Sequence, residues 1–225
     1  LRDLEVMTQN IINTAFDNVS TVAGGVELLE AFQVLARCES VKRCVEKKVT
    51  DILSSFIKQC ASYKRHFEGY RHAPPVHPDE PRNGGGADWS AGLRREIAQD
   101  WKYMYAAVNA MDQSMVRADV VQEAKNEYRT LMTVFNEYII KQYHDWMTTL
   151  AGIDQAAMQK KLERPLMQRI DPKTGLPINT KRQNGNVPTR IESNFDKDLL
   201  KLFNEVTFWQ RFGGEHPIPY LALDI

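Results

Sequence analysis

Apolar residues recur along most of this chain at steps of three and four, the spacing of one face of a helix. Leu4, Met7, Ile11 and Ala15 form the first stripe. Gly24-Gly25 predicts a break or bend, after which Val26, Leu29, Phe32 and Leu35 restart the pattern. Ser40 is placed to cap a third helix. Its stripe is Val41, Val45, Val49, Ile52, Phe56, Cys60, Tyr63 and Phe67. Asp88 is placed as the cap of a fourth, carrying Trp89, Leu93, Ile97, Trp101, Met104, Val108 and Met111. A fifth runs Val121, Ala124, Tyr128, Leu131, Phe135, Tyr138, then shifts by one position to Ile139, Tyr143, Trp146 and Leu150. Such a drift predicts a helix that curves or changes partner. Charged and amide residues fill the opposite faces, so the helices must pack on one another.

Proline and glycine punctuate this pattern. Prolines are absent before Pro74 and between Pro81 and Pro165, which leaves both stretches free to run as long helices. They cluster with glycine at 69–86, 165–188 and 213–219, the expected connections. Asp171-Pro172-Lys173-Thr174-Gly175 is a turn sequence, and Asn184-Gly185 is a second of the hairpin kind. On either side of these turns, Leu166–Ile170 is expected to pair with Arg190–Asn194 as a short ribbon with a long decorated tip. A last helix is expected from Asp196, with Phe195 and Leu200 stapled around the cap, ending at Gly213-Gly214 before Pro217 and Pro219.

The fold class expected is therefore all-α: an elongated bundle of long antiparallel helices with one short β-hairpin insertion. The chain reads as one segment over 1–225. Within it come a helical hairpin at 1–68, a Pro/Gly loop at 69–87 and long helices at 88–163, then a β-ribbon at 164–195 and a helix with an exit segment at 196–225.

Composition narrows the function. Twenty-nine basic residues balance twenty-nine acidic ones in 225 residues, which argues against a dedicated nucleic-acid binder. With 43% hydrophobic and 26% charged residues the chain is expected to be neither disordered nor membrane-integral. Cys38, Cys44 and Cys60 are an odd number, which suits a reducing compartment better than a disulfide scaffold. Asn18-Val19-Ser20 matches a glycosylation sequon, but the pattern places it inside a helix, as a chance match. Leu1-Arg2-Asp3 and Leu223-Asp224-Ile225 do not look like natural termini, so a piece of a longer polypeptide is expected.

Candidate chemistry is sparse. Gly84-Gly85-Gly86 is not followed by Lys-Ser/Thr and reads as a flexible linker rather than a phosphate loop. The 171–175 turn resembles the phosphorylated aspartate loop of ion-pumping ATPases, but Pro172 interrupts that motif. Cys60, His66, His72 and His77 lie within 18 residues, but their gaps are not those of a zinc site. His144 reads as a helix residue rather than a general base. No catalytic, cofactor-binding or metal-ligating residue is assigned, and no cofactor is expected in this segment. One uneven feature is charge. Positions 160–190 carry Lys160, Lys161, Arg164, Arg169, Lys173, Lys181, Arg182 and Arg190 against only Glu163 and Asp171. This basic ribbon reads as solvated surface or as a contact for an acidic protein face.

The run from Asn194-Phe195-Asp196 through Leu199-Leu200-Lys201-Leu202 to Glu205-Val206 and Phe208-Trp209 resembles a segment of the dynein heavy chain tail. Gly213-Gly214 and Ile218-Pro219 follow in that family's order. Upstream, Arg164-Pro165-Leu166 leading to Asp171–Gly175 resembles the family's short hairpin. Val26–Phe32, Lys47–Leu53, Pro74-Pro75, Trp89 and Leu93 also come in its order, so the resemblance covers nearly the whole chain. Where the family usually has a Pro-Pro-Val-Ala-Gly-like run, this chain has Asn83–Asp88, and Leu176–Thr189 is an extra stretch. The Trp209 variant is more similar to axonemal outer-arm chains than to the cytoplasmic one.

The resemblance implies a non-catalytic tail scaffold of an ATP-driven microtubule motor for ciliary or flagellar beating, with the ATPase ring, and its ATP, far C-terminal of this segment. The implied partners are intermediate chains, light chains, other heavy chains, and the axonemal doublet or its docking proteins, with no nucleic acid and no membrane. The implied location is the cytoskeleton of the cilium or flagellum axoneme. The residues alone leave two alternatives: a metal-dependent helical enzyme using Cys60, His66, His72 and His77, or an unrelated helical tethering subunit.

Overall fold

The computed structural model describes residues 2–33, 35, 39–178, 190–212 and 217–218. These form helices α1 (Arg2–Asp17), α2 (Val22–Gln33), α3 (Glu39–Tyr70), α4 (Arg82–Ala110), α5 (Ala118–Ala151), α6 (Gln155–Leu162) and α7 (Lys197–Phe212). Strands β1 (Met167–Ile170) and β2 (Arg190–Ser193) make one antiparallel hairpin, and a 3-10 turn at Gln113–Met115 lies between α4 and α5. The all-α class with a single short hairpin is what the helical periodicity predicted. The chain folds as two compact units, Leu1–Pro75 with Asp88–Ile140 and Val76–Ala87 with Lys141–Ile225.

The first unit is organised on α3. Its predicted stripe is buried from Val41 through Phe67, with only Tyr63 partly exposed. Ile12 of α1 and Val26 and Leu29 of α2 join the same core, as do Ile97, Met104 and Val108 of α4 and Ala124, Leu131 and Phe135 of α5. Burial of the Val, Leu, Ile, Met and Phe side chains stabilises by about 1.5–3 kcal/mol each. Aromatic contacts set the registers. Trp89 stacks on Phe67 at 5.4 Å between centroids, and Phe67 meets Phe135 and Tyr138 edge-on at 5.2 Å. The Tyr138 hydroxyl donates to the Arg71 carbonyl at 3.0 Å, just past the end of α3. Trp101 stacks on Tyr105 and on Tyr128.

In the second unit, α7 packs with the last turns of α5. Trp146 stacks on Trp209 at 5.7 Å, and Tyr143 meets Trp209 edge-on at 5.4 Å. The stripe shift after Tyr138 is therefore a change of partner: positions up to Ile140 belong to the first unit, and Tyr143 and Trp146 to the second. Asp154 caps α6 by accepting from Ala156 and Ala157 N–H. Asp196 caps α7 by accepting from Asp198 N–H at 2.9 Å and Leu199 N–H at 3.4 Å. The hairpin pairs Met167 with Ser193 and Ile170 with Arg190, the expected register.

Several local expectations are corrected. The first stripe faces solvent: Leu4 is 66%, Met7 62% and Ile11 54% exposed, while Ile12 is fully buried. α1 turns a neighbouring face to the core, on which Ile12 and Phe16 pack. Gly24-Gly25 makes no break; the chain breaks at 18–21, and α2 then starts with Thr21 Oγ1 accepting from Gly24 N–H at 3.1 Å. The Asn18-Val19-Ser20 sequon lies in that connection, not inside a helix. α3 begins at Glu39, so Ser40 lies within it rather than capping it. α4 begins at Arg82, so neither an Asp88 cap nor a loop to 87 exists. Gly84, Gly85 and Gly86 are helical and buried, not a flexible linker. The long helices expected over 88–163 are α4 and α5, with the short α6 following from Gln155. Phe195 packs on Phe203, and Leu200 is half-exposed. Cys38, the Lys181-Arg182 tip, the Asn184-Gly185 turn, Gly213-Gly214 and Pro219 lie outside the described residues.

Candidate functional site

The residues weighed for chemistry are placed as follows. Cys60 is 2% exposed in the core stripe of α3, and burial, with the nearby Glu127 charge, pushes its thiol up to about 12. His66 lies on the exposed side of α3 and packs on Tyr70. Six residues of helix turn by 600°, so Cys60 and His66 cannot share a face. His72 accepts from Arg71 Nε at 3.3 Å, and His77 Nδ1 accepts from Asp79 N–H at 3.3 Å. Among the described residues no group of three His, Cys, Asp or Glu side chains converges on a metal position. His144 is exposed on α5. In the 171–175 turn, Asp171 accepts from Lys173 N–H at 2.8 Å and Gly175 adopts φ +68°, so turn geometry occupies the aspartate.

One buried polar constellation was not anticipated. Glu205 of α7 is 8% exposed. Its Oε1 accepts from Asn83 N–H at 2.7 Å and its Oε2 from Gly84 N–H at 2.9 Å. A helix N-terminus leaves its first N–H groups without intrahelical partners. Here a distant carboxylate serves α4 in place of a local cap, and its charge complements the helix dipole. Asn83 Nδ2 donates to the Gln142 carbonyl at 3.1 Å. Burial pushes the Glu205 carboxyl above its usual range, and the two backbone hydrogen bonds oppose that rise. The glycines make the approach fit. A Cβ at Gly84 would lie 2.3 Å from Phe208 Cδ1, and one at Gly85 would lie 2.4 Å from Val76 Cγ1. The sequence signal was an acid inside an apolar stripe, Leu202-Glu205-Trp209, at helical spacing.

The surface chemistry of the second unit gathers on the hairpin. Leu166, Met167, Leu176 and Ile191 are each 60–65% exposed. Ile170 is buried and Gln168 half-buried on the opposite face, as strand alternation requires. Arg169, directly across from Ile191, is exposed between these apolar groups. Lys161, also basic, is instead tied to Asp196 and Asp198 at 3.2 Å each.

The arrangement is a set of packed helices with a capped α4 N-terminus and an exposed ribbon. Residues 1–225 match the family described as dynein heavy chain, N-terminal region 1. The chain is 29% identical over its full length to the Chlamydomonas reinhardtii dynein-1-beta heavy chain of the flagellar inner arm I1 complex. It is 30% identical over 96% of its length to human dynein axonemal heavy chain 2. It is 23% identical over 94% of its length to the Chlamydomonas dynein gamma chain of the flagellar outer arm. In each case it spans only 4% of the relative's length. A match over every residue places the chain in the dynein heavy chain family, in its N-terminal region 1.

Proposed function

We propose that this chain is a non-catalytic scaffold segment in the tail of an axonemal dynein heavy chain. The observation that carries the reading is the family match over all of residues 1–225, in a chain whose polar groups are used for capping and packing. The relatives are named for flagellar inner-arm and outer-arm complexes, which supports assembly into an arm and a place in the cilium or flagellum axoneme. The partners of that assembly are intermediate chains, light chains and other heavy chains, with anchoring to the doublet microtubule. ATP hydrolysis belongs to the distant motor region of the parent chain.

The mechanism is mechanical. α3, α4 and α5 are long helices locked along their length by interdigitated aromatics. Close-packed interiors have low compressibility and transmit strain. Such an element passes force between the motor and the anchored base of the arm. The test is to delete residues 1–225 in frame from the full heavy chain in a ciliated cell and examine the axonemes. Loss of the arm, with ATPase activity retained by the soluble heavy chain, is expected. Normal arms at normal occupancy would overturn the reading.

A further inference from the structure

The hairpin carries a backbone feature that its role in packing does not use. Asn194 N–H donates to the Leu166 carbonyl at 2.8 Å, which sets the alternation of the antiparallel ladder. Residues 190 and 192 therefore turn their backbone groups toward β1, and Ile191 and Ser193 turn theirs away. The same alternation turns Arg169 outward on the other edge, where its carbonyl accepts from Ile178 N–H at 2.8 Å. Pro177 bridges Ile170 there, and Asp171 N–H donates to the Leu176 carbonyl. The outer edge of β1 is thus occupied by the chain's own return. The backbone N–H and C=O of Ile191 and Ser193 have no backbone partner among the described residues.

An open strand edge is a template for another extended chain, and proteins generally blunt it. Here the exposed face beside the edge is apolar at Met167 (64%) and Ile191 (60%), where a soluble ribbon would carry polar groups. Arg169 sits between them, and neither it nor Lys173 meets a carboxylate among the described residues. Arg190 is paired with Glu192 at 3.3 Å, both outside the core. The sequence from 160 to 190 carries eight basic and two acidic residues. Edge, apolar pair and cation together specify an occupant.

We infer that the outer edge of β2 receives an extended acidic segment of a partner polypeptide by β-augmentation, with alternate apolar side chains against Met167 and Ile191 and a carboxylate at Arg169. Main-chain pairing supplies the affinity in such contacts and alternate side chains the selectivity. A lipid or a nucleic acid offers no matching backbone row. The inference rests on the scaffold reading and names one surface through which that scaffold takes a partner.

The test uses the full heavy chain in isolated axonemal arms, with a photocrosslinking benzoylphenylalanine in place of Ser193. The crosslinked peptide is sequenced by mass spectrometry. The expected product joins position 193 to an acidic stretch with alternating apolar residues in another polypeptide. Ile191→Pro removes an outward donor without touching the β1 ladder, since proline is tolerated where the N–H faces solvent. It should lower the yield about tenfold, the loss of one hydrogen bond plus its side-chain contact. Arg169→Glu, an exposed change, should lower it about threefold, and less at high salt. A crosslink confined to the same chain, one to a neutral or basic segment, none at all, or a yield indifferent to both variants overturns the inference. Sedimentation of the same heavy chain with its arm separates the two readings: an arm that assembles normally without the crosslink refutes the edge and keeps the scaffold. A heavy chain that never joins an arm refutes both.

Discussion

The ring of Phe208 fills the space in which a side chain at Gly84 would begin, with Cδ1 2.3 Å from where the Cβ would lie. Gly84, in the first turn of a long helix, therefore records the close approach of α7. Gly84→Ala should cost about 1–3 kcal/mol through overpacking, outweighing the roughly 0.5–1 kcal/mol alanine gains in a helix. Gly92→Ala in the same helix meets only the end of Arg95, at 4.0 Å, and should stabilise by about 0.5–1 kcal/mol. Denaturant midpoints of the two variants check the pair, and equal signs would refute the packing at 84.

Glu205 should matter through its hydrogen bonds. Glu205→Ala leaves the Asn83 and Gly84 N–H groups buried without an acceptor, at about 1–3 kcal/mol for each group left unsatisfied. Its pH dependence runs opposite to that of a paired surface carboxylate. Burial raises its folded pKa above 4.5, so the folded state binds more protons than the unfolded one in the window above 4.5. This group's contribution to stability therefore falls as pH rises through that window and is restored as pH drops. Subtracting the pH profile of Glu205→Gln from that of the parent isolates the slope; a difference that rises with pH would contradict the burial.

Trp101 is partly buried, and it stacks on Tyr105 and Tyr128 at 5.0 and 4.9 Å. Trp101→Ala is expected to cost about 2–4 kcal/mol, at or below the range for fully buried aromatics. Lys102→Ala, on the exposed side, should stay within about 0.5 kcal/mol. Urea titrations of both variants measure the difference, and comparable losses would place the wrong face of α4 against the core.

The register of α1 is open to a direct check. Met7→Ser and Ile11→Ser, on the exposed stripe, should each change stability by no more than about 0.5 kcal/mol. Ile12→Ala, fully buried, should cost about 2–5 kcal/mol. The reverse ranking in thermal melts would restore the face that the apolar spacing first suggested.

Cys60 should resist modification. With its pKa pushed up to about 12, almost no thiolate exists at pH 8, and the thiolate is the reacting species. Iodoacetamide labelling, read peptide by peptide, should leave Cys60 unmodified until denaturant is added. Rapid labelling in the folded state would mean that the α3 core opens on the labelling timescale.

The long helices and the hairpin were legible because their signals are local. Val41 through Phe67 repeats at helical spacing over many turns, and every one of those positions packs on the core. Asp171–Gly175 is a turn by its own chemistry, and the expected pairing of Met167–Ile170 with Arg190–Ser193 is the one that forms. Even the shift from Tyr138 to Ile139 announced the change from one unit to the other. What the sequence could not decide was which of two apolar faces wins and which acceptor a helix end finds. Leu4, Met7 and Ile11 match a helical stripe as well as Ile12 and Phe16 do, and only the surface offered by α2 and α3 chooses between them. Gly84-Gly85-Gly86 has linker composition, yet Glu205 and Phe208, more than a hundred residues away, make it the buried first turn of α4. Periodicity is a property of neighbours along the chain. Burial and capping depend on which distant residues arrive, and that is fixed only when the units fold.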